Sequence, residues 1–346
     1  MENQLEMRAA DDWHCHLRDG FFLARTVADQ VNQFRRAIVM PNLLPPVTTM
    51  VEVNAYRQFI IEHIPEGEVF EPLMTLYLTP ECQAAELVKA KESGVVHAVK
   101  LYPQGATTHS DAGISNLSSV YPVLETMQDL DIVLSVHGEV TLPEVDIFDR
   151  EARFLEQELA PILSRFPQLR VVLEHVSTAQ SVAFVQQAGP NVAATITPHH
   201  LLLNRNDLLA GGIRPHYYCL PIVKRQQDQQ ALIAAAVSGN PQFFLGTDSA
   251  PHVQSQKESA CGCAGIYSAH AALELYAEVF EQQQALHRLE DFASRFGAEF
   301  YRLPLNSQTV KLARQPWVVP DTLAFGESQL VPFYAGKTLQ WKLCDD

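Results

Sequence analysis

The sequence lacks the features that mark a nucleic-acid-binding, membrane or secreted protein. Lysine and arginine number 25 against 40 aspartates and glutamates in 346 residues, so the formal net charge is −15. Phosphate backbones and anionic membranes select an excess of basic side chains, which is missing here. No apolar run approaches about 18 residues, the length that a membrane-spanning helix needs. Residues 1–10 also lack the basic-then-apolar plan of a signal peptide. We therefore expect no nucleic-acid and no membrane partner.

Cysteine is scarce and is not arranged as a disulfide framework. The six cysteines follow no regular spacing, and a chain of this length needs no disulfide bonds to stabilise its core. Cys261 and Cys263 form a Cys-x-Cys pair, but two thiols are an incomplete metal site, so we interpret them as structural. A reducing cytoplasm is the expected location.

Short apolar runs alternate with amphipathic segments along most of the chain. The runs are apolar throughout, which is typical of parallel strands covered on both faces. The first and last are separated by seven intervals of roughly 34 residues, the length of a strand–helix unit. The eight predicted strands end near Asp12, Pro41, Leu78, Lys100, His137, His175, Thr197 and Asp248.

The segments between the runs predict helices. Thr79 can cap a helix over Pro80–Ser93, and Ile147–Phe166 carries an apolar stripe with charges elsewhere. Eight alternating units predict a (β/α)8 TIM barrel. Since no linker divides the chain, residues 1–346 are expected to form a single domain, with residues 306–346 as a short, strand-like C-terminal extension.

Several polar side chains stand where the predicted strands end. His14 and His16 form a His-x-His pair whose rings can share one face of a strand. Each of these residues alone has an ordinary explanation, such as a hydrogen-bonded histidine, a strand-end lysine or a capping aspartate. In a barrel, however, they form one ring around the C-terminal mouth, where barrel enzymes build their sites. The residues of this ring are His14, His16, Lys100, His137, His175 and Asp248.

Four imidazoles and a carboxylate are ligand types for zinc or a similar divalent metal. They exceed what a single catalytic zinc with an open position uses, so two metals fit better, but two metals need a bridge. Lys100 is the candidate at the right strand end. Its ammonium cannot bind a cation, whereas its neutral amine can react with CO2 to give a carbamate with two oxygens. Burial beside cations favours the required loss of a proton.

Longer motifs carry a specific resemblance. The sequence is similar to the amidohydrolase superfamily and, within it, to dihydroorotases of the short bacterial type. The similarity runs from about residue 5 to the C-terminus. Hydantoinases, dihydropyrimidinases and allantoinases place a sandwich domain before their His-x-His, whereas only 13 residues precede His14, so no N-terminal sandwich domain is expected. The motifs are DWHCHLRDG, MPNLLPPVTT, KLYPQGATTHSDAGI, HGEV, LEHVST, TPHHLLLNRND, LGTDSAPH and CGCAG.

The resemblance implies a centre with two Zn²⁺ per chain. The His-x-His pair and the aspartate would bind the more buried metal, and the other two histidines would bind the second. A carbamylated lysine (N6-carboxylysine) and a hydroxide would bridge both metals. The implied ligands are His14, His16, Lys100, His137, His175 and Asp248.

The resemblance also implies a set of substrate-binding residues. The planar fork of Arg18 suits a carboxylate, with Asn42 and His252 as its partners. Backbone groups at two further positions would hold the ring, and a threonine pair would lie on a mobile loop. Arg18 in a salt bridge at the barrel rim and the threonines on an ordinary flexible loop remain alternatives, and His199 and His200 are left without a role. The implied set is Arg18, Asn42, Thr107, Thr108, His137, Leu220, His252 and Ala264.

The implied reaction is the reversible closure of N-carbamoyl-L-aspartate to L-dihydroorotate with loss of water, in de novo pyrimidine biosynthesis, by a homodimer. In ring opening, the bridging hydroxide attacks the ring amide, and Asp248 takes its proton and passes it to the leaving nitrogen. The alternatives are another cyclic-amide hydrolase of the hydantoinase type and an inactive assembly partner. The carboxylate-binding set argues against the first, and the intact ligand set argues against the second. A deaminase-like single-metal barrel would leave Lys100 without a role.

Overall fold

A computed structural model describes residues 3–344. Strand β1 (Gln4–Arg8) lies outside a sheet of eight parallel strands that follow one another in chain order. The first and last strands of this sheet meet where Cys15 pairs with Ser249, and the Asp248 N–H donates to the His14 carbonyl at 2.8 Å. The predicted (β/α)8 barrel is therefore confirmed. Its strands are β2 (Asp11–Cys15), β3 (Arg36–Val39), β4 (Glu71–Tyr77), β5 (Val96–Leu101), β6 (Val133–Val136), β7 (Val171–Leu173), β8 (Val192–Ile196) and β9 (Phe243–Leu245).

Helices surround the barrel and connect its strands. None of the helices within residues 3–344 is long and apolar enough to cross a membrane. The helices are α1 (Leu23–Gln33), α2 (Met50–Glu62), α3 (Ala84–Ser93), α4 (Tyr121–Asp129), α5 (Arg150–Phe154), α6 (Ala160–Arg165), α7 (Ala179–Gln187), α8 (Pro198–Leu202), α9 (Arg205–Leu209), α10 (Gln226–Ala236), α11 (Gln254–Lys257), α12 (Ala272–Gln282) and α13 (Phe296–Tyr301).

Two helix predictions differ from the structure at their first turns. The prediction that Thr79 caps a helix is wrong, because the Cys82 N–H donates to the Thr79 carbonyl at 3.1 Å and closes a turn there. Helix α3 begins only at Ala84. The long helix predicted from Ile147 is present from Arg150, as α5 and α6 joined by a π-helical turn.

The barrel interior is filled at the end opposite the C-terminal ends of the strands. One buried residue from each strand contributes to this layer, and α13 closes it from below, where Tyr301 stacks on Trp13 with ring centroids 4.8 Å apart. Gly297 is needed here, because a Cβ at that position would overlap the Trp13 ring. Chemistry is thereby confined to the opposite, C-terminal mouth. The strand residues of the layer are Trp13, Ile38, Leu73, Ala98, Val133, Val172, Ala193 and Phe244.

The two ends of the described chain meet outside the barrel. Strand β1 pairs antiparallel with β10 (Thr309–Ala313), so the predicted strand that ends near Asp12 is in fact two strands separated at Ala9 and Ala10. Trp341 is fully buried in the same apolar cluster as the helices around the barrel. The remaining strands are β11 (Trp317–Val318), β12 (Leu323–Phe325), β13 (Ser328–Leu330), β14 (Thr338–Leu339) and β15 (Lys342–Leu343).

Candidate active site at the barrel mouth

Three predicted ligands bring their donor atoms to one point. Nε2 of His14 and Nε2 of His16 are 3.4 Å apart, and Oδ1 of Asp248 lies 3.0 Å from the latter and 3.4 Å from the former. His14 and His16 come from β2 and the residue after it, and Asp248 follows β9, so the closure of the barrel creates this cluster. Two imidazoles and a carboxylate so placed fit a divalent metal ion.

The other two predicted histidines lie beside this cluster. The His175 ring is centred 5.0 Å from the His14 ring and 4.8 Å from the His137 ring. Both residues follow neighbouring strands, β6 and β7, which explains their contact. Nδ1 of His175 is buried and has no hydrogen-bond partner within residues 3–344. Burial lowers the pKa of His175 well below its usual value, so the ring is neutral and able to act as a ligand.

Lys100, in β5, is fully buried at the base of the same site. Its Nζ has no hydrogen-bond partner in the described part of the chain and lies 5.0 Å from the centre of the Tyr102 ring. Burial lowers the pKa of Lys100 to about 8, although Glu174 and Asp248 partly oppose this shift. An unpaired buried ammonium is costly. A neutral or modified amine therefore suits this position better.

Two buried carboxylates support the histidines, and the sequence interpretation missed both. Oε2 of Glu174 lies 2.9 Å from Nδ1 of His14, and Oε2 of Glu139 lies 2.9 Å from Nε2 of His137. A carboxylate behind an imidazole fixes its tautomer and orientation, as at many metal sites. Both glutamates stand in quoted motifs, LEH and HGE, but no spacing rule assigned them a partner.

The backbone is strained at three of the predicted positions. Arg18, His175 and Asp248 have φ values of 61°, 41° and 44°. These values lie in the left-handed region, which costs of order 1–3 kcal/mol for a residue with a side chain. Such strain collects at functional sites, because the surrounding fold holds side chains where chemistry needs them.

A narrow pocket opens above these residues. Seven of the eight predicted substrate-binding residues line it, and Tyr102, which was not predicted, does so as well. The eighth, His252, lies behind Arg18. The predicted residues on the pocket wall are Arg18, Asn42, Thr107, Thr108, His137, Leu220 and Ala264.

Arg18 is buried on this wall without a carboxylate partner. Within residues 3–344 no carboxylate oxygen lies within 4.0 Å of its guanidinium, so the alternative of a salt bridge at the rim does not describe it. Nε2 of His252 lies 2.9 Å from the Ala264 carbonyl and 3.3 Å from Nη2 of Arg18. The shorter contact makes the histidine a donor to the carbonyl. The guanidinium keeps its Nη donors for another acceptor, and a carboxylate is the natural one.

The predicted threonine loop lies over the pocket. Asn42 donates through Nδ2 to the Thr108 carbonyl at 3.0 Å, and the Thr108 hydroxyl donates to the Ala264 carbonyl at 3.3 Å. The Thr107 N–H donates to Oγ of Ser110 at 2.9 Å. In this arrangement the loop joins one wall of the pocket to the other.

The remaining candidates do not join the site. Cys261 and Cys263 bring their sulfurs to 3.9 Å and do not line the pocket. His199, His200 and Cys219 form a second buried group of potential ligands. However, Nδ1 and Nε2 of His200 already contact the Thr197 hydroxyl and the Pro221 carbonyl, at 2.8 and 2.9 Å. Too few ligands remain in this group for a metal.

A barrel with histidines, an aspartate and a buried lysine gathered at its C-terminal mouth has the architecture of a metal-dependent hydrolase. Comparison with protein families agrees with this class. The chain belongs to the amidohydrolase family, whose model matches residues 11–319.

Within that family, the chain is similar over its whole length to proteins named dihydroorotase. The protein of that name from Coxiella burnetii is 61% identical over 333 residues, which are 96% of each chain. The one from Nitrosococcus oceani is 56% identical over 345 residues, which are 100% of each chain. The crystal structure of dihydroorotase in complex with 5-fluoroorotic acid from Saccharomyces cerevisiae is 32% identical, with a TM-score of 0.92 and 99% of each chain covered. The chain therefore falls among the dihydroorotases of the family.

Proposed function

We propose that the protein is a dihydroorotase, a hydrolase of cyclic amides that interconverts N-carbamoyl-L-aspartate and L-dihydroorotate in pyrimidine biosynthesis. The observation that carries the proposal is the position of Arg18. This buried guanidinium has no carboxylate partner among the described residues and lines the same pocket as His14, His16 and Asp248. A carboxylate-binding group beside a hydrolytic metal site suits a cyclic amide that bears a carboxylate. The names of the full-length relatives point the same way.

The proposed metal centre holds two Zn²⁺. His14, His16 and Asp248 would hold one ion and His137 and His175 the other, with Lys100 as a carbamate between them. Support for the carbamate comes from the unpartnered, fully buried Nζ and its lowered pKa of about 8. The neutral amine adds to CO2, an N–C bond forms, and one proton is released. Bound zinc would supply a water of lowered pKa and would polarise the carbonyl that is attacked.

The side chains of the pocket would orient the substrate and move its proton. Arg18 and Asn42 would hold the α-carboxylate, and backbone groups of Leu220 and Ala264 would hold the ring. His252, which donates to the Ala264 carbonyl, would support this wall of the pocket from behind Arg18. Thr107 and Thr108 would close the loop over the pocket and exclude bulk water. His137 would contact the substrate as well as the metal.

Asp248 would act as base and then as acid. In ring opening, its carboxylate accepts a proton from the attacking water and passes it to the ring nitrogen that leaves. Burial raises the pKa of Asp248 above its usual range, with His14 and Lys100 opposing the shift. A raised pKa suits a group that must both accept and release a proton.

The two rival functions predict different sites. A hydantoinase-like enzyme acts on a neutral ring and gives a buried Arg18 no task. An inactive assembly partner needs no converging ligands, whereas the donor atoms of His14, His16 and Asp248 lie within 4.8 Å of one another. Both rivals therefore leave a specific arrangement without a purpose.

We also propose that residues 1–346 form a single domain with residues 306–346 as its C-terminal extension. The burial of Leu312 and Trp341 in one cluster with residues around the barrel supports a single domain. A homodimer in the cytoplasm is proposed on the family resemblance. Light scattering on the purified protein tests the dimer, and a mass of one chain would reject it.

The first experiment measures L-dihydroorotate ring opening before and after metal removal, with metals counted per chain. We expect activity with about two metals, loss on stripping and recovery with zinc. Hydantoin, a neutral cyclic amide, serves as the control substrate and is expected to react poorly. Hydantoin opening without dihydroorotate opening would transfer the proposal to the hydantoinase type.

The direction of the equilibrium gives an independent check on the reaction. Closure converts a dianion and a proton into a monoanion and water, so the ratio of dihydroorotate to open-chain product should rise as the pH falls. Measuring this ratio from both directions at several pH values tests the assignment. A ratio independent of pH would mean that the reaction consumes no proton and is a different one.

A further inference from the structure

Lys257, the last residue of α11, is a buried lysine that the proposed mechanism does not use. Its side chain is 3% exposed. Nζ donates to the carbonyls of Tyr218 at 2.7 Å, Cys263 at 2.7 Å and Gly265 at 2.8 Å. An ammonium has three N–H donors, and here each has a carbonyl. A neutral amine would lose one of these bonds.

The three carbonyls belong to the two loops that carry proposed ring-binding groups. Tyr218 lies two residues before Leu220, and Cys263 and Gly265 lie on either side of Ala264. The loops also touch directly, since the Gly265 N–H donates to the Tyr218 carbonyl at 3.0 Å. Lys257 therefore joins both loops immediately behind the pocket wall formed by Leu220 and Ala264.

The second loop has little freedom to adjust. Cys263 has a φ of 29°, and a Cβ at Gly265 would lie 2.7 Å from the Ala250 carbonyl and 2.8 Å from Cδ2 of His252. The Ala264 carbonyl accepts from Nε2 of His252 at 2.9 Å. A shift of this loop would thus move the backbone group at Ala264 directly. The candidate metal ligands His14, His137 and His175 are not partners in the Lys257 bonds.

The positive charge of Lys257 also has no carboxylate close to it among the described residues. Over residues 3–344, no carboxylate oxygen lies within 4.0 Å of its Nζ. The titratable groups whose charges act on Lys257, or on which it acts, are Cys219, Cys263, His199 and His252. Burial lowers the pKa of Lys257 to about 8. Three carbonyl dipoles hold the cation in place of a carboxylate.

We infer that Lys257 is a positioning residue that sets the spacing of the Leu220 and Ala264 backbone groups and so determines affinity for the substrate ring. The inference rests on the proposed function, because the ring-binding role of the two backbone groups belongs to it. Lys257 does not line the pocket and would touch neither the substrate nor the metals.

The test compares Lys257→Met with the wild-type holoenzyme. Lys91→Met is the matched control, because Lys91 also donates to a main-chain carbonyl, that of Asp131 at 3.0 Å, but is exposed and distant from the pocket. Two probes are titrated: orotate, which has a ring and a carboxylate, and succinate, which has carboxylates and no ring. KM, kcat and metals per chain are measured on the same preparations.

For Lys257→Met we expect orotate and dihydroorotate to bind about tenfold or more weakly, since several hydrogen bonds that hold the two loops are lost. Succinate affinity and kcat should change by less than about threefold, and the metal content should match the wild type. Lys91→Met should match the wild type throughout. Lys257→Gln keeps two N–H donors, so its orotate affinity should lie between those of the wild type and Lys257→Met. It serves as the test variant if the methionine variant does not fold.

Unchanged orotate affinity in a folded variant would overturn the inference. Equal weakening of orotate and succinate would also overturn it, because the effect would then be one of charge rather than of loop position. Failure of the proposed function is a separate result, since it appears in the wild type as absence of dihydroorotate opening before any variant is made.

Discussion

Glu174 contacts three strands of the barrel from its position under the candidate metal site. Its carboxylate lies 2.9 Å from Nδ1 of His14 and accepts hydrogen bonds from the Ser135 and Thr195 hydroxyls, each at 2.6 Å. The Thr195 oxygen in turn accepts a hydrogen bond from the main-chain N–H of His175 at 2.7 Å. One buried carboxylate thereby orients ligands of both proposed metals.

Replacing this carboxylate should weaken metal binding. For Glu174→Gln we expect the metal dissociation constant to rise about 10- to 100-fold, because a neutral amide makes His14 a poorer donor and no longer fixes its tautomer. Competition with a chelator measures this constant. Glu156→Gln, an exposed residue of the π-helical turn, is the control. Equal metal retention in both variants would remove the role assigned to Glu174.

The pKa of Lys100 predicts how the rate at which zinc restores activity to the metal-free protein depends on pH. Only the neutral amine reacts with CO2, and burial lowers the pKa of this lysine from 10.5 to about 8. At constant dissolved CO2, the rate of reactivation by zinc should therefore rise between about pH 6 and about pH 8 and level off above, as the amine loses its proton. Stopped-time activity assays across this range measure the rate. Lys100→Arg should not recover at any pH, because a guanidinium stays protonated. A flat profile would contradict a carbamate at this position.

Positions at strand ends made most of the site predictable from the sequence. His14, Lys100, His137 and His175 reach one mouth because parallel strands of a barrel all end there. Glu174 and Lys257 were not predictable in this way. Their partners are distant in the chain, and a buried carboxylate or ammonium has no periodic signature until packing brings its partners to it.

At the scale of elements, the loop over residues 103–114 leaves no room for a side chain at one of its glycines. A Cβ at Gly113 would overlap the Tyr102 carbonyl and lie 2.9 Å from the Ser110 carbonyl. The same loop carries Thr108, which bonds to Asn42 and Ala264 across the pocket. Its conformation therefore depends on a glycine remote from the chemistry.

Gly113→Ala should displace this loop and weaken substrate binding. We expect KM for dihydroorotate to rise about tenfold as contacts of Thr107 and Thr108 are lost, with metal content unchanged. Steady-state kinetics with metal analysis measure both. Gly67→Ala, at an exposed turn where a Cβ meets nothing within 4 Å but a φ of 87° strains an alanine, controls for a general loss of stability. An unaltered KM in the Gly113 variant would show that the loop does not serve substrate binding.

Element boundaries show where sequence patterns stop being informative. Strand β2 (Asp11–Cys15) begins only where the predicted strand ended, but strands β3 to β9 were predictable because each is a short, mostly apolar run. The start of α3 was not, since Thr79 is as good a turn former as a helix cap, and only the Cys82 N–H contact decides between them. The split between β1 and β2 at Ala9 and Ala10 likewise depends on the distant partner β10.

At the scale of the whole molecule, the C-terminal segment packs against the barrel through buried side chains. Trp341 is fully buried, and its indole N–H donates to Glu281 of α12 at 3.2 Å. Leu343 contacts the same cluster, and its N–H donates to Glu274 at 3.1 Å. Stability of the barrel and of the extension should therefore be linked.

Trp341→Ala tests this linkage. Truncating a buried tryptophan should lower the free energy of unfolding by about 3–5 kcal/mol, and the whole melting transition should shift to lower temperature. Calorimetry of the metal-loaded protein records it. Val318→Ala, at a position 61% exposed, is the control. Two separate transitions, with that of the barrel unshifted, would contradict a single domain.

Trp13, Gly297 and Tyr301 close one end of the barrel, and this closure limits the route by which small molecules can reach the candidate active site. Since that end is filled, CO2, metal ions, substrate and product would all pass through the C-terminal mouth. Assembly of the proposed centre would then precede turnover, because CO2 and the metal ions would have to enter before a bound substrate covers the site. Bound substrate would in this way slow the dissociation of metal during turnover.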